Sequence, residues 1–378
     1  MKKSVAIIRE IIQKEFYQFR QDKRMISLSF MAPLLQVLLL GYAATTDIKY
    51  SNMVVCDMDK SAISREFIER FTTSGYFVDK YSVTVLSGID NYLEHGQASV
   101  ALVIPPNFGE MIARRQTVPI QMIFDGADAN TASVVLGYAT QIVAQYSQSI
   151  VTQYLTRQPI RTGGGIIPDL RIWFNPDLKS SNYMVPGVVA LVLMIITMTL
   201  TSLGLVKERE IGTLEQLMVT PIKPFELIIG KLIPFVIIGF VDVVVVLSIA
   251  RFWFGVPMYG NLFTLFFLSG LFILTTLGLG LFISTIAKTQ QQAMLIAQFF
   301  FFMPFTFLSG FTFPIANMPV VIQYLTYVIP LRYFLEIVRA IFLKGAGFAE
   351  LWPQALALFG IGVTVLTLSV IRFQKKLG

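Results

Sequence analysis

Residues that could do chemistry are few in this sequence and lie far apart. It contains one His, His95, and one Cys, Cys56. Two such side chains are too few for a Cys/His zinc site, and a single Cys excludes an internal disulfide bond. His95 has Asp90 and Glu94 beside it and could act as a general base, but the pattern places no nucleophile near it. We therefore interpret His95 as a structural or surface residue.

The phosphate-binding loop G-x-x-x-x-G-K-[ST] is absent from the sequence. The nearest candidate is Gly230-Lys231, but Leu232 follows it and Phe225 stands where the first glycine should be. Without those glycines the backbone N–H groups cannot surround a phosphate. We therefore predict that this chain is not an enzyme, that it binds no cofactor or metal, and that it cannot hydrolyse ATP by this route.

Composition indicates a membrane protein with several spans. Of the 378 residues, 54% are hydrophobic and only 14% are charged, whereas soluble domains carry about 25% charged residues. Six apolar segments have about the length that crosses the hydrocarbon core. They are residues 25–46, 183–206, 232–250, 261–287, 289–313 and 355–371. We predict a polytopic α-helical membrane protein with six transmembrane helices, the first at 25–46 and the other five within 183–378.

The N-terminal segment, residues 1–24, has the period of an amphipathic helix. Its apolar side carries Val5, Ile8, Ile12, Phe16 and Phe19, and cations occupy the rest. Such a helix is expected to lie in the plane of the membrane interface. It either anchors the protein or acts as a lever on the first span, and the pattern favours the anchor. A cleaved signal peptide is not expected, because the following apolar stretch of 22 residues is too long.

Residues 47–182 have a different composition from the rest of the chain. They contain 11 Lys and Arg and 13 Asp and Glu, which is normal for a soluble domain of this length. Strand-like segments alternate with segments of helical period. The strand-like segments are residues 53–56, 78–86, 99–104 and 120–124, and the helical ones are residues 62–71, 108–115 and 131–156. We predict an α/β domain between the first and second membrane helices.

The distribution of cations predicts the orientation in the membrane. The N-terminal segment, the 207–231 segment, Lys288 and the C-terminal tail together carry a net charge of +8, and everything else sums to −1. Cations of short loops face the cytoplasm, so both termini are predicted to be cytoplasmic and the 47–182 domain extracytoplasmic. The overall charge of +7 is thus a signal of topology, and we expect no nucleic-acid partner.

Two further features could be functional. In the segment 207–221, alternating charges are followed by an apolar face made by Leu214, Leu217 and Met218. A short helix there suits a groove on a cytoplasmic partner, and a solvated loop is the equal alternative. Asp242 is the only acid inside a predicted span, about 16 Å from Lys231 along the helix axis. It is either structural, satisfied by a neighbouring hydroxyl or helix, or it contacts a substrate or a proton.

The same segment carries a resemblance to a known family. The pattern K-E-R-E-x-G-T-x-E-Q-L, followed by P-x-x-P-x-E-L-I-x-G-K-x-x-P, resembles the permease subunit of ABC-2-type export transporters. It is most similar to bacterial multidrug-permease members, which have six spans and a large outer loop after the first helix. Shorter matches cover the whole chain in order and lie at residues 174–176, 290–292, 308–310, 314–319, 330–333 and 344–347.

The resemblance implies roles for particular residues. The segment 207–221 would contain the coupling helix that docks on a separate ATPase, which would bind the ATP and Mg. Residues 314–345 would form a re-entrant outer segment, in which Arg332 and Glu336 can pair at i, i+4. The implied coupling residues are Glu208, Arg209, Glu210, Gly212, Thr213, Glu215 and Leu217, and the candidate pathway residues are Asp242, Arg332, Glu336 and Arg339.

We therefore expect the permease subunit of an ATP-binding cassette exporter in the bacterial cytoplasmic membrane. A dimer, of two identical or two paralogous permeases, would move a hydrophobic or amphiphilic substrate outward by ATP-driven alternating access. Expected partners are the ABC ATPase, the second permease and membrane lipids, and the outer domain could receive a periplasmic adaptor and an outer-membrane tunnel.

Two alternatives remain open at this stage. An ion-coupled secondary transporter should have more membrane-embedded acids and internal repeats. A membrane-anchored binding or assembly protein would not need five further spans.

Overall fold

The computed structural model describes residues 2–44, 50–127, 129–157, 174–175, 179–212 and 222–375. The chain divides into two compact units. The helical unit consists of Met1–Thr45 together with Phe174–Gly378, and the α/β unit of Thr46–Trp173. The helix of the second span begins at Ser180, three residues before the apolar stretch 183–206 from which this span is predicted.

The α/β unit is built on a four-stranded sheet with the strand order β2-β1-β3-β4. The strands are β1 Ser51–Asp57, β2 Phe77–Val83, β3 Val100–Ile104 and β4 Gln121–Phe124. β1 pairs in parallel with β2 and β3, whereas β4 runs antiparallel to β3. The two central strands are rich in Val and lack alternation, because residues on both of their faces are buried.

The described residues of this unit also form four helices: α3 Ala62–Thr73, α4 Ser87–Glu94, α5 Phe108–Ala113 and α6 Ala129–Arg157. Ile89 of α4 packs with Val54 of β1 and Ala101 of β3. An aromatic cluster joins the other three helices, with the ring of Phe67 centred 5.5 Å from Phe108 and 4.8 Å from Tyr146. The unit thus has a core of its own.

Helix α4 is the element of this unit that differs from the prediction. The sequence pattern predicts neither a strand nor a helix between residues 86 and 99, but Asp90 and Glu94 lie on a helix there that buries Ile89 completely. A helix of eight residues with one buried side chain has no repeating apolar pattern by which it could be recognised in the sequence. His95 follows the helix with its ring exposed, and its Nδ1 lies 2.8 Å from the carbonyl oxygen of Asn91.

The helical unit contains α1 and α2, then α7 to α14. Their bounds are α1 Lys2–Gln21, α2 Lys23–Ala44, α7 Ser180–Ile211, α8 Pro224–Ser248, α9 Leu262–Ile286, α10 Gln290–Ile296, α11 Met303–Leu308, α12 Val320–Thr326, α13 Pro330–Arg339 and α14 Phe348–Lys375. Three π-helical segments extend or join them: Ile249–Trp253, Ala297–Phe302 and Ala340–Lys344. In the described chain, six helical segments are long and apolar enough to cross a membrane, which matches the predicted number.

Helix α7 is the central helix of this unit. In its most apolar stretch 83% of the residues are buried, whereas the corresponding share is 22% in α2 and in α14. It packs against α2, α8, α9 and α13. The close approach to α9 requires Gly280, because a Cβ at that position would lie 2.5 Å from the carbonyl oxygen of Met198. A helix that is apolar on all sides is expected in such a buried position.

Helix α1 packs against the beginning of α8. Its Ile11 is buried among Leu227 and Ile228, and a Cβ on Gly230 would lie 2.7 Å from Cγ2 of Ile11. Only Asp22 separates α1 from α2. The apolar side of α1 therefore meets the protein as well as facing outward, and its position in the membrane interface stays a prediction.

The segment predicted as re-entrant, residues 314–345, contains the two short helices α12 and α13. Helix α13 is strongly one-sided: Leu331, Phe334 and Leu335 are buried, and the ring of Phe334 stacks on Phe272 of α9 at 4.0 Å. Two short helices fit the expected pair, whereas their re-entry from the outer side stays a prediction.

Candidate functional site

The charged segment after the second span continues helix α7. Glu208, Arg209 and Glu210 lie in the last turn of α7, which ends at Gly212 with a left-handed φ of 81°. Glycine adopts this conformation without strain and commonly ends a helix. The helix predicted over 207–221 therefore does not begin at Glu208. Thr213, Glu215 and Leu217 lie outside the described residues, so their predicted role as docking residues stays a prediction.

Glu208 is buried in a cluster of charges that joins three helices. Its Oε1 lies 2.7 Å from Nζ of Lys14 in α1, and its Oε2 pairs with Nζ of Lys231 in α8. The Lys231 ammonium also lies 3.1 Å from Oε1 of Glu15, again in α1. Lys231 is only 1% exposed, which is tolerable for an ammonium because two carboxylates surround it. We call these four residues the charge cluster.

The next two residues of α7 connect it to other helices. Arg209 donates hydrogen bonds to the carbonyl oxygens of Ser284 and Ala287, at 2.8 and 3.0 Å, and so caps the end of α9. Glu210 accepts a 2.8 Å hydrogen bond from the side-chain amide of Gln290, at the start of α10. The last turn of α7 thus holds α1, α8, α9 and α10 together.

A cavity of about 700 Å³ lies beside the charge cluster, between α1, α2, α7 and α8. Its lining includes Glu15 and Glu208 of the cluster and the apolar side chains Phe19 and Phe235. Lys207 pairs with Asp22 at its edge. The mixture of paired charges and apolar surface would accept an amphiphilic molecule better than a fully polar one.

A second cavity, of about 330 Å³, lies between α2, α7 and the fifth span. Its lining is mostly apolar and includes Phe299 of the fifth span. Gln36 and Gln298 add two amides, and the side-chain oxygen of Gln36 is buried without a hydrogen-bond partner among the described residues. A largely apolar cavity with a few polar groups is the usual character of a small-molecule site.

The predicted pathway residues do not form one group in the structure. Asp242 is fully buried in α8, and neither of its carboxylate oxygens has a hydrogen-bond partner in the described chain. Arg332 donates a hydrogen bond to the hydroxyl of Thr326 and stacks 4.1 Å from the ring centroid of Tyr327. Asp242 thus lies on a different helix from the three polar residues of α13.

Arg332 and Glu336, which the i, i+4 spacing allows to pair, have other partners in the structure. Glu336 is exposed and accepts a 3.1 Å hydrogen bond from Gln354 of α14, while Arg332 is held by α12. Arg339 donates to the carbonyl oxygen of Gly310 at 3.3 Å and stacks on Tyr183 of α7 at 3.7 Å. The i, i+4 spacing permits a pair, but the guanidinium of Arg332 instead binds the hydroxyl of Thr326 and the ring of Tyr327.

Sequence reasoning missed the partners of Glu208, namely Lys14, Glu15 and Lys231. One signal was present: Glu15 follows Ile8 and Ile11 by seven and four residues and so lies on the apolar side of α1. An acid on that side needs a buried cation, but the sequence does not show which one. The described residues contain no group of three or more His, Cys, Asp and Glu side chains that could hold a metal.

Comparison with known proteins places the chain among transport proteins. A family model described as "ABC-2 family transporter protein" matches residues 23–371. The "Probable multidrug ABC transporter permease YbhS" of Escherichia coli (strain K12) is 33% identical over 372 residues, which cover 98% of this chain and 97% of that protein.

Two other relatives from Escherichia coli (strain K12) have the same extent. The "Probable multidrug ABC transporter permease YbhR" is 31% identical over 366 residues, covering 97% of this chain and 98% of its own. The "Inner membrane transport permease YhhJ" is 29% identical over 374 residues, with 97% and 96% covered. In all three cases the similarity extends over both units of the chain.

Proposed function

This chain belongs to the ABC-2 family of transporter proteins, and from that membership we propose a detailed function for its two units. It is a multi-pass membrane protein and a permease of the ABC exporter type. In our proposal it moves a hydrophobic or amphiphilic substrate out across the cytoplasmic membrane by alternating access in a dimer. The single observation that carries the proposal is the junction at the end of α7, where one helical turn holds four other helices.

Energy for transport would come from a separate ATPase subunit. The sequence has no phosphate-binding loop, so ATP and Mg would be bound by that partner rather than by this chain. Membership of the ABC-2 family implies an ABC ATPase partner and a dimer of permeases. Two ATPase subunits that close on nucleotide would press on two copies of the segment after Gly212.

The charge cluster would transmit this movement. Lys231 binds carboxylates of both α1 and α7, so these helices and the start of α8 would move as one block. Arg209 and Glu210 would extend the block to α9 and α10. On this basis α1 would act as a lever as well as an anchor. The lever is the role that the sequence pattern favoured less.

The orientation of the chain follows from its charges. Both termini and the junction at the end of α7 would face the cytoplasm, and the α/β unit would be extracytoplasmic, because the cations of short segments collect on the first side. The segment 314–345 would then re-enter from the outside, where Arg332, Glu336 and Arg339 would border the exit of the pathway. An adaptor and an outer-membrane tunnel could bind the α/β unit, and lipids would surround the spans.

The substrate class follows from the cavities and the relatives. Both cavities combine apolar walls with a few polar or charged groups, which suits an amphiphilic molecule. Two relatives are named as multidrug permeases, and the proposed cargo is of that general kind. The three transporter relatives give no support to an ion-coupled carrier or to an assembly protein.

Co-purification with the ATPase tests the proposed docking segment. Gly212 follows α7 and Gly255 follows the π-helical segment after α8. Both have a left-handed φ, 81° and 64°, and nothing lies within 4 Å of a Cβ added at either position. Gly212→Val should force the chain after α7 to a new direction and reduce ATPase recovery at least about tenfold, because β-branched residues avoid this conformation. Gly255→Val introduces the same strain away from the junction and should retain the ATPase.

Transport by vesicles tests the energy source. Vesicles that contain permease and ATPase should move a fluorescent amphiphile only with ATP, and an imposed proton gradient alone should give no transport.

The two experiments have separate contradicting outcomes. Full recovery of the ATPase with the Gly212→Val variant would contradict the proposed docking segment. Transport driven by the gradient without ATP would instead favour the secondary carrier.

A further inference from the structure

Asp242 is a buried acid that the proposed coupling does not use. It is 0% exposed, and both carboxylate oxygens lack a hydrogen-bond partner among the described residues. Lys231 precedes it by 11 residues and Arg251 follows it by nine, which are about 16 and 13 Å along a helix axis. No charged residue of its own helix is therefore near it.

The face of α8 that carries Asp242 is turned toward α7 and α9. Three residues earlier, a Cβ on Gly239 would lie 3.2 Å from Cγ2 of Thr197 in α7 and 3.2 Å from Cγ2 of Ile273 in α9. Residues three apart lie on the same side of a helix, so Asp242 continues this contact by one turn. The hydroxyls of Thr197 and Thr276 nearby lie 2.7 Å from each other and within hydrogen-bond distance of the carbonyl oxygens of Leu193 and Phe272, so they have partners of their own.

Within the part of the chain that the structure describes, the elements packed against α8 bring no countercharge to the level of Asp242. Leu262–Ile286, which is α9, contains no charged residue, and the ionisable residues of the other elements lie toward helix ends or in α1 beside the start of α8. They are Lys2, Lys3, Arg9, Glu10, Lys14, Glu15, Tyr17 and Arg20 of α1, Asp22 between α1 and α2, Lys23, Arg24 and Tyr42 of α2, Tyr183, Lys207, Glu208, Arg209 and Glu210 of α7, Arg251, and Glu350, Arg372 and Lys375 of α14. Tyr183 and Lys207 are each more than about ten residues along α7 from the level of Asp242, or roughly 15 Å.

A carboxylate that is shielded from solvent and has neither a hydrogen bond nor a countercharge is far less stable than the neutral acid at the same place. The acid also gains an O–H donor, and the carbonyl oxygens of the preceding turn lie within reach of a short side chain. We propose that Asp242 is a proton-binding site inside the membrane, and that its carboxyl group keeps the proton while α8 stays packed against α7 and α9.

Release of the proton would require these helices to separate. Water that enters would accept the proton as hydronium, the O–H bond would break, and a hydrated carboxylate would remain. This second step rests on the proposed transport cycle, whereas protonation in the packed state does not. Asp242 would then oppose closure of the bundle whenever it has lost its proton.

Infrared spectroscopy of the full chain in lipid vesicles tests the protonation. The spectrum of the wild type minus that of Asp242→Asn at neutral pH should show the carbonyl stretch of a carboxylic acid. A positive carboxylate stretch in its place would overturn the proposal. Where the Asn variant does not fold, Asp242→Glu serves instead, because it retains an acid whose carbonyl stretch has a different frequency. No ATPase or substrate is needed, so the result is separate from that of the docking experiment.

Exchange with D2O tests the release. In the assembled complex, ATP should accelerate the shift of the Asp242 acid band at least about tenfold over the rate without nucleotide, because each opening exposes the O–H group to solvent. An unchanged rate in a complex that transports would overturn the link between this proton and the cycle. A complex without transport but with the acid band would contradict the proposed function and leave the proton site standing.

Discussion

At the scale of single residues, Lys231 has the most demanding environment in the charge cluster. Its side chain is 2% exposed and lies between carboxylates that belong to two different helices. A buried ion pair contributes little relative to apolar residues of the same shape, but removal of one partner leaves an uncompensated charge. The structure therefore predicts an asymmetry between single and combined substitutions.

Lys231→Met should lower the free energy of unfolding by about 3–5 kcal/mol, because Glu15 and Glu208 would remain buried together without that cation. The measurement is thermal unfolding of the detergent-solubilised protein. Lys14→Met is the matched control: Lys14 is 36% exposed, so its loss should cost no more than about 1 kcal/mol.

A triple variant sharpens this prediction. Lys231→Met combined with Glu15→Gln and Glu208→Gln removes both buried carboxylates and should recover most of the stability lost by Lys231→Met alone. Equal stability losses for Lys231→Met and Lys14→Met would show that the cluster is open to water.

The residue scale also shows where sequence reasoning ends. The charged run after the second span identified Glu208, Arg209 and Glu210 as unusual, and all three connect helices in the structure. The partners could not be read from the sequence, since Lys14 and Glu208 are separated by 194 positions. For Arg332 a partner could be suggested from the sequence, Glu336 at i+4, but in the structure Thr326 and Tyr327 bind Arg332 instead.

At the scale of elements, apolar length and strand–helix alternation predicted most of the fold. The six spans and the four strands follow from these patterns, because burial in lipid or in a sheet demands continuous apolar sequence. The end of α7 was harder to predict, since the charged run after the apolar stretch was equally consistent with a separate short helix and with a solvated loop. Lys, Glu and Arg are good helix formers, and partners from other helices satisfy their charges.

Packing of α7 against α9 gives a second prediction. Gly280→Ala should lower the free energy of unfolding by about 1–3 kcal/mol, because its Cβ would meet the carbonyl oxygen of Met198 and backbone cannot move aside easily. The control is Gly360→Ala in α14, where nothing lies within 4 Å of the added carbon. That change should be neutral or stabilising by up to about 1 kcal/mol.

Thermal unfolding in detergent measures both glycine variants. If Gly280→Ala is as stable as Gly360→Ala, α7 and α9 are not in the close contact described here.

At the scale of the whole molecule, the two units lead to a prediction about topology. The native Cys56 should be unreactive, because it is 0% exposed and burial, with the adjacent Asp57 carboxylate adding to the effect, raises the pKa of its thiol. Gly126 of the α/β unit and Arg9 of α1 are both exposed. A membrane-impermeant maleimide on intact cells should label Gly126→Cys and not Arg9→Cys.

Permeabilised cells supply the control for this labelling, since both variants should then react to a similar extent. Labelling of Arg9→Cys in intact cells would place the N-terminus outside and reverse the orientation. Strong labelling of the unchanged chain would contradict the burial of Cys56.

The central position of α7 has a consequence for biosynthesis. A ribosome that adds about 5–20 residues per second makes Ile286, the end of α9, roughly 4–15 s after Ile211, so α7 enters the bilayer before its main partner exists. Residues 183–206 carry no charge, and Thr197 and Thr201 bond carbonyl oxygens of their own helix. The helix that is most enclosed by protein in the folded chain can thus also reside in lipid before its partners are made, because its apolar stretch has no charge and these two hydroxyls are hydrogen-bonded within the helix.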